Sequence, residues 1–468
     1  MNKRALLSLA GVVVMTSACT LGPNWEKPQM EVPAVFRGAG MSGSNMSDLP
    51  WQAVMKDRNL QALLNDVFAH NRSLQALEHN VEAARQYVTM ARAPMFPWVN
   101  YGASTSKGMN SAGGANITNT GGMTANPAST SLSATWEIDL WGKLRRGVES
   151  ADASAAQAAE ELNNLRISLM RQVACGYLQL IMLDEQLRIT RNSVESYSDT
   201  LKLFNDQLKE GVVDRLQVSS AQGALASAQA EAPALELQIA ALENTLCMLA
   251  GRAPGRIARS GSLKAYMNAS RVAAGIPADV LSRRPDIRAK EQAMRAANAD
   301  VGVAIASYFP SISLTGAVGF ASSDLRHTVR GSSQGWGIGA NLTGPLFQAG
   351  KLKANEIAKK EAFMAAKADY EQAVLNALAE VASTLVQRQK LREVISKQEA
   401  AVAAYEQTVS LAKQRYKEGY SAYFEVLDNQ LRLFPAQKQL ANYRYQYAAC
   451  IPTLYTQLGG GWMENSSK

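Results

Sequence analysis

The chain has 468 residues, of which 47% are hydrophobic, enough for two or three ordinary domains or for one elongated repeat structure. Its formal net charge is +8, but the lysines and arginines are spread along the chain and form no tract with interleaved aromatic residues. This distribution argues against nucleic-acid binding.

Residues 1–18 are predicted to be a lipoprotein signal peptide. A basic start, MNKR, precedes an apolar run of about eleven residues, which is too short to span a bilayer as a helix. The run ends in TSAC, where small residues precede Cys19 as in a bacterial lipobox, although Thr16 stands where Leu is usual. Cys19 is therefore the predicted lipidation site, with diacylglycerol and an N-acyl chain, and an extended lipidated segment is expected over 19–56. The alternative is an ordinary secretory signal cleaved after Ala18. Both export the mature chain.

The remaining chain divides into two predicted structural repeats, 57–260 and 261–462, followed by a tail at 463–468. The motifs that recur are FP (96–97 and 309–310), DLWGKLRR (139–146) with PLFQAGKLKA (345–354), and KEG (209–211 and 417–419). Two residues are inserted before the Lys-Leu of the second DLWGKL-type motif.

Each repeat is predicted to start with a helix, as over about 284–307, and to continue with two strands. SLSATWEIDLW, SISLTGAVGFA and WGIGANLTG alternate apolar with polar residues, which is typical of strands with one apolar face. The predicted strands cover about 96–107, 130–141, 309–322 and 334–347.

The strands have the length and dyad pattern of transmembrane barrel strands, although a soluble sandwich would give the same alternation. Export and the tryptophans at 136, 141 and 336, which suit interfacial anchors, favour the barrel. Four strands are too few for a membrane barrel, since the smallest have about eight. Several copies of the chain are therefore expected to contribute strands.

Each repeat is predicted to end in a helical hairpin, over 143–250 and 351–458. The same 66 positions separate Lys143 from Lys209 and Lys351 from Lys417, and both stretches are proline-free and rich in helix formers. At 1.5 Å per residue each helix would be about 100 Å long, which indicates a coiled coil or a tube. Gly211 and Gly419 are predicted to end these helices as left-handed caps where the chain reverses.

No catalytic or metal-binding site is predicted, and no cofactor. His70, His79 and His327 have no partners at metal-ligand spacing, and no nucleophile–base arrangement is evident. GPLFQAGKL has the wrong glycine spacing for a phosphate-binding loop and no Ser or Thr after its lysine.

Six motifs together carry a resemblance to a known family: CTLGPNWEKP (19–28), IPADVLSRRPDIRAKEQAMRAANADVG (276–302), YFPSISLTG (308–316), GPLFQAGKLKA (344–354), YKEGYSAYFEVLDNQ (416–430) and LGGGW (458–462). The chain resembles the outer membrane factors of Gram-negative bacteria, in the TolC superfamily, and among them the OprM- and NodT-like lipoproteins of RND efflux systems. The resemblance implies a membrane α+β fold. Three protomers would form a twelve-stranded β-barrel with four strands each, continuous with a long periplasmic α-helical barrel.

The resemblance also implies an outer-membrane exit channel of a tripartite efflux system, a passive duct for drugs or other small molecules. The expected partners are two further copies (a homotrimer), a periplasmic adaptor of the membrane fusion type that contacts the turns at Gly211 and Gly419, an RND-type inner-membrane transporter, and outer-membrane lipid. The alternatives are a duct for metal ions or secreted polypeptide, and a non-conducting periplasmic coiled-coil scaffold. An enzyme is disfavoured.

The second hairpin has acquired acidic residues that the first lacks: Glu425 and Asp428 stand where the first repeat has Gln217 and Ser220. In relatives, acidic residues matching these positions line the periplasmic entrance of the pore, which implies a gate here. Three residues apart, the two carboxylates share one helix face, and a ring of six in a trimer would repel and would favour cations. A pair of solvated surface carboxylates is the alternative.

Tyr416 is the third predicted gate residue. It matches a tyrosine that in relatives helps to tie the closed helices together, whereas Ser421 stands where the distant relative has an arginine in that tie.

Overall fold

The computed structural model describes residues 20–37, 46–105, 108–109, 124–125, 128–259, 261–267, 282–322 and 331–460. The predicted signal peptide 1–18, Cys19 and the tail 463–468 lie outside these residues. The chain forms two compact units. One comprises Met1–Gln29, Asn80–Ala159 and Ala289–Tyr370, and the other comprises Met30–His79, Glu160–Arg288 and Glu371–Lys468.

The N-terminal segment is less extended than predicted. Residues 20–37 contain no helix or strand, but a 3₁₀ turn follows at Met46–Asp48 and a short helix, α1, at Trp51–Val54. Trp51, the first residue of α1, lies in the core, where its buried ring packs edge-on against Phe68 with centroids 6.1 Å apart. Burial of this large apolar ring favours a helical turn over an extended chain.

The first repeat opens with two helices, α2 (Arg58–His70) and α3 (Arg72–Arg92), where one was predicted. Asn71 separates them with an extended backbone, and its buried side chain accepts a hydrogen bond from the Leu74 amide (3.0 Å). The same side chain donates to the Leu249 carbonyl (2.8 Å). Asn71 therefore caps the second helix, as asparagine commonly does.

The main sheet is antiparallel, in the order β1-β4-β5-β6. Its strands are β1 (Trp98–Thr105), β4 (Ala128–Ile138), β5 (Ser311–Ser322) and β6 (Gln334–Thr343), and a separate short pair joins β2 (Gly108–Met109) to β3 (Thr124–Ala125). Relative to the predicted ranges, β1 and β5 begin two residues later and β6 ends four residues earlier, because prolines 97, 310 and 345, which have no amide N–H for the ladder, lie at those ends.

One face of the main sheet is apolar. Tyr101 lies opposite Leu132, which lies opposite Val318, which lies opposite Trp336, so one row of apolar side chains crosses all four strands. All four side chains are exposed in the single chain. A face of this kind needs an apolar surrounding, since an exposed patch of this extent is rare on soluble monomers.

The helices after the sheet strands are long and of matched length. Lys143–Lys209 (α4) and Lys351–Lys417 (α8) have 67 residues each, and the return helices are Arg215–Leu249 (α5) and Phe424–Gln457 (α9). Two further helices, Leu263–Met267 (α6) and Pro285–Ala306 (α7), come between the hairpins in the sequence. The first residue of α7 is a proline. Of the helices described, none has the length and apolarity to cross a membrane.

The residues that follow Cys19 are fastened to the turn between β4 and α4. The Leu21 amide donates to the Trp141 carbonyl (3.2 Å), and Thr20 packs against Gly142. Arg146 is buried, and its guanidinium donates to the carbonyls of Leu21 and Gly22. Because a buried guanidinium must be satisfied, these bonds favour a fixed course for the segment.

Candidate functional site

The two hairpin turns have the same backbone. Gly211 and Gly419 have φ of +74° and +79°, the left-handed region that glycine adopts without strain. After each glycine, an amide bonds back across the helix end: Val212 to the Gln207 carbonyl and Tyr420 to the Arg415 carbonyl, both at 2.8 Å. This is the hydrogen-bond pattern of a Schellman cap, in agreement with the predicted reversal.

The return helix of the first hairpin is capped. Asp214 precedes α5 with an extended backbone, and its carboxylate accepts from the Gln217 amide (3.1 Å). On the other side of the turn, Lys209 donates to Asp206 (2.9 Å), and this hydrogen bond raises the pKa of Lys209. The end of the first hairpin is therefore fixed by local side-chain bonds.

The return helix of the second hairpin begins without such a cap. The position of Asp214 is occupied by Ala422, and Tyr423 at the N-cap makes no side-chain bond to the first turn of α9. Glu425 is the one acidic residue in that turn, where a negative charge interacts favourably with the helix dipole. The first turn of α9 thus lacks the side-chain cap that α5 has.

The two predicted gate carboxylates differ in surroundings. Glu425 is exposed, whereas Asp428 is 47% exposed and forms an ion pair with Arg432, 3.2 Å away and one turn further along α9. Arg432 was not among the predicted gate residues, although its i,i+4 spacing from Asp428 is a signal visible in the sequence. The face of α9 that bears the acids therefore also bears one compensating cation.

Tyr416 links the ends of several helices. Its hydroxyl accepts from Nε2 of Gln207 at the end of α4 (2.8 Å), and its ring meets that of Tyr423 edge-on at 4.9 Å. Tyr423 in turn packs edge-on against Phe204 of α4 at 5.8 Å. Ser421 takes no part, since its buried hydroxyl has no hydrogen-bond partner in the described part of the chain. The contacts of Tyr416 thus involve Gln207 and two aromatic rings, Tyr423 and Phe204, that the sequence analysis did not single out.

Leu427 joins the start of the second return helix to an apolar cluster of the first hairpin. Only 1% of it is exposed, and it stands where the first repeat has an exposed serine, Ser219. Its cluster also contains Tyr197, Phe204, Ala221 and Ala228. Burial and the nearby carboxylate of Glu231 raise the pKa of Tyr197 to about 12, so its hydroxyl stays neutral. Leu427, which lies between Glu425 and Asp428 in the sequence, is therefore held in an apolar cluster that excludes water.

Further along α9, four hydrogen bonds tie one short stretch to the three other long helices. Gln398 of α8 donates to the Ala436 carbonyl (3.0 Å), and Gln186 of α4 donates to the Lys438 carbonyl (3.4 Å). Lys438 donates to both carboxylate oxygens of Glu231 on α5, each at 2.6 Å. Pro435, which cannot donate a backbone hydrogen bond, directly precedes this tied stretch.

The described residues form no cluster of side chains suited to holding a metal ion. They contain no group of three or more His, Cys, Asp or Glu side chains that could hold a metal ion. Cys175, Cys247 and Cys450 are free thiols, and burial raises the pKa of Cys450 to about 11 and that of Cys175 in the same direction. Thiols held protonated in this way are poor nucleophiles and poor ligands.

Comparison with known proteins gives one consistent result. The family described as outer membrane efflux protein matches residues 63–252 and 276–460. The probable efflux pump outer membrane protein TtgC of Pseudomonas putida is 31% identical, covering 99% of this chain and 97% of its own. The cation efflux system protein CusC of Escherichia coli is 30% identical, covering 96% and 98%. The structure of the open state of the MtrE outer membrane channel of Neisseria gonorrhoeae superposes with a TM-score of 0.84 at 27% identity, covering 95% and 99%.

Proposed function

The chain belongs to the outer membrane efflux protein family, and on that premise we propose that it is the gated exit duct of a tripartite efflux system. It is an outer-membrane efflux channel with the α+β fold of its relatives. The observation that carries the proposal is the pairing, in one chain, of an amphipathic four-stranded sheet with two matched helical hairpins.

The channel would be assembled from three copies. Four strands cannot enclose a pore, and the apolar face of the sheet suits lipid. Three copies supply twelve strands, a number within the range of membrane barrels, and six hairpins for a periplasmic helical barrel.

The gate would lie at the end of the second hairpin. Glu425 and Asp428 supply negative charge, the Tyr416–Gln207 bond ties the end of α8 to α4, and the uncapped start of α9 supplies a segment that can move. With Arg432 beside Asp428, three copies would present six carboxylates and three guanidinium groups, a ring still net negative and favourable to cations.

The partners would meet the hairpin ends. Exposed apolar side chains flank both turns at equivalent positions, Val212 and Leu216 beside Gly211, and Tyr420 and Phe424 beside Gly419. Such residues support docking of a periplasmic adaptor, and an RND-type transporter in the inner membrane would supply the energy. Passage itself is passive, so the chain needs no catalytic residue and no cofactor.

A lipid anchor on Cys19 would hold the N-terminus at the outer membrane. The bonds that fasten Leu21 and Gly22 to Arg146 support this proposal, because they hold the chain next to the cysteine beside the end of the sheet. Mass spectrometry of the mature N-terminal peptide tests it. Three acyl chains on Cys19 are expected, and an unmodified cysteine would contradict the anchor.

The proposed cargo is drugs and other small organic molecules. A second candidate, metal ions, is favoured by the similarity to a cation efflux protein at nearly the same identity as to TtgC. In both cases selection of the cargo belongs to the inner-membrane transporter.

A strain lacking the chain separates these candidates. Loss of a drug duct should raise susceptibility to antibiotics and dyes, whereas loss of a metal duct should raise susceptibility to metal salts. The purified chain in a planar bilayer should give single-channel currents. A folded chain that passes no ions would contradict the duct and favour a periplasmic scaffold.

A further inference from the structure

The edges of the sheet specify how a second copy would pair with it. We propose that β6 of one copy pairs antiparallel with β1 of the next in one register, with Leu342 opposite Tyr101 and Thr343 opposite Asn100. The inference rests on the proposed function, because it requires that the copies close into a ring.

Both edge strands lack a ladder partner on one side within the described residues. β1 bonds only to β4 and β6 bonds only to β5, and every side chain of both strands is exposed. A membrane offers no water to satisfy the free amides and carbonyls of an edge strand. These edges therefore need a strand from another chain.

The internal repeat supplies a template for that contact. Within the chain, β4 and β5 join the first repeat to the second, and Trp136 lies opposite Leu314. Counted back from the Leu-Trp and Leu-Phe of the recurring motif, Trp136 corresponds to Leu342. Counted forward from the recurring Phe-Pro, Leu314 corresponds to Tyr101. If β6 of one copy pairs with β1 of the next as β4 pairs with β5, a contact called the seam below, Leu342 lies opposite Tyr101.

This register keeps the apolar face continuous. Leu342 and Tyr101 both lie on the apolar face of the sheet, and both are exposed in the single chain. The next pairs on that face would be Ala340 with Ala103, and Ile338 with Thr105. A slip of one residue would turn every apolar side chain of one strand to the polar face of its neighbour, so the parity of the register is strongly constrained.

Two exposed aromatic rings support the same seam. Where β4 and β5 meet, Trp141 packs on Phe309 with ring centroids 4.8 Å apart. The corresponding residues are Phe347 and Phe96, which are 87% and 66% exposed in the single chain. The proposed register sets them opposite each other across the copies, where each would cover the other.

A register shifted by two residues, with Leu342 opposite Ala103, has the same parity and is the competitor that the pairing inside the chain suggests. This register follows if equivalent positions are assigned from the strand pairing inside each repeat. Val99 of the first repeat corresponds to Ile312 of the second, so their partners, Ala134 and Leu342, would then be equivalent. Leu342 would then face Ala103. The two registers differ in how steeply the strands must tilt when the barrel closes.

The tilt follows from a path across one copy. From Trp98 the ladder leads to Thr135, to Thr315 and to Gly339, and the proposed seam then reaches Ser104 of the next copy, six positions beyond the start. Six residues span about 20 Å along the strand against about 19 Å across four strand spacings, a tilt of about 45°. The competing register advances eight positions and needs about 54°. Barrel strands tilt by about 35–45°, which favours the proposed register over this competitor.

Cysteine cross-linking of the full-length chain in outer membranes tests the register. Thr343→Cys combined with Asn100→Cys sets two thiols directly opposite each other between copies. Thr343→Cys with Gly102→Cys is the matched control on the same face, where the Cα atoms would be about 7–8 Å apart, beyond the reach of a disulfide. The unsubstituted chain controls for Cys175, Cys247 and Cys450.

On a non-reducing gel, oxidised Thr343→Cys/Asn100→Cys should run mainly as covalently linked trimer and the control mainly as monomer. The reverse pattern would establish the competing register and overturn this proposal. Equal linking, or none, in a chain that still sediments as a trimer would overturn it too while leaving the duct intact. A chain that sediments as a monomer would overturn the proposed function along with it.

Discussion

The two hairpin ends share a turn and differ in the residues on its far side. Both hairpins reverse at a glycine with a left-handed backbone, and both close the helix with the same backbone bond. In the first, Asp214 caps the return helix, whereas in the second the equivalent Ala422 cannot. The second end instead holds a buried leucine, Leu427, where the first has an exposed serine.

This difference separates the residues that set the path of the chain from those that set how firmly each hairpin end is held. The glycine and the matched helix lengths serve the path of the chain and are kept in both copies. The cap, the acids and the leucine concern how firmly each end is held, and these have diverged. We expect the second end, which has no cap, to be the one that moves, with the burial of Leu427 holding it at rest, and four sets of variants test that comparison.

The largest expected effect is at Leu427. Leu427→Ala removes a fully buried side chain between the hairpins and should destabilise the folded chain by about 2–5 kcal/mol. Ser219→Ala, at the equivalent exposed position, should change stability by no more than about 0.5 kcal/mol. Urea unfolding of the purified protein measures both. Equal effects would mean that the cluster does not hold the second end.

The two glycines should respond alike. A residue with a Cβ in the left-handed region costs about 1–2 kcal/mol, and an added Cβ meets nothing within 4 Å at Gly211 or Gly419. Gly211→Ala and Gly419→Ala should therefore lower the free energy of unfolding by the same amount. A much larger loss at one turn would contradict the equivalence of the two.

Removing the cap of α5 should make its first turn less stable, and adding a cap to α9 should make its first turn more stable. Asp214→Ala should cost about 1 kcal/mol and speed amide hydrogen exchange in the first turn of α5, while Asp214→Asn, which can still cap, should not. Ala422→Asp should slow exchange in the first turn of α9. If exchange there is already as slow as in α5, the second end is not the looser one.

The smallest free-energy changes are expected at the exposed charges, where an ion pair contributes about 0.2–1 kcal/mol. Glu425→Gln with Asp428→Asn should lower the cation selectivity of the channel, and Arg432→Gln should raise it. Reversal potentials across a salt gradient in planar bilayers measure both. Gln217→Glu with Ser220→Asp, which copies the acids into the first hairpin, should leave selectivity unchanged. A response to the copied acids would place the first hairpin in the constriction as well.

The family, the fold class and the outer-membrane location predicted from the motifs are confirmed by the family match and by the relatives. Local backbone features were predictable because they depend on neighbours in sequence: the left-handed glycines, the alternating strands and the start of α7 at Pro285. The lipid on Cys19 and the gate role of Glu425, Asp428 and Tyr416 stay predictions.

Contacts between distant segments could not be predicted in this way. Neither the Gln207–Tyr416 bond nor the burial of Leu427 follows from any local pattern, because both depend on how the second hairpin packs on the first. The break at Asn71 was missed for the same reason, since its side chain bonds to a carbonyl 178 positions away. Arg432 and the Asp214 cap were readable from spacing alone and were overlooked.

If the second end opens as proposed, the bonds at Ala436 and Lys438 set the place where we expect α9 to bend. Beyond Pro435, three neighbouring helices form hydrogen bonds to the backbone of α9 and to the Lys438 side chain. Bending of α9 is therefore easiest just before Ala436. From Phe424 to Pro435 the helix measures about 16 Å at 1.5 Å per residue, and a swing of about 10° would carry its free end through about 3 Å. In three copies around a threefold axis, that rotation would widen the proposed periplasmic entrance of the pore by roughly the diameter of two water molecules.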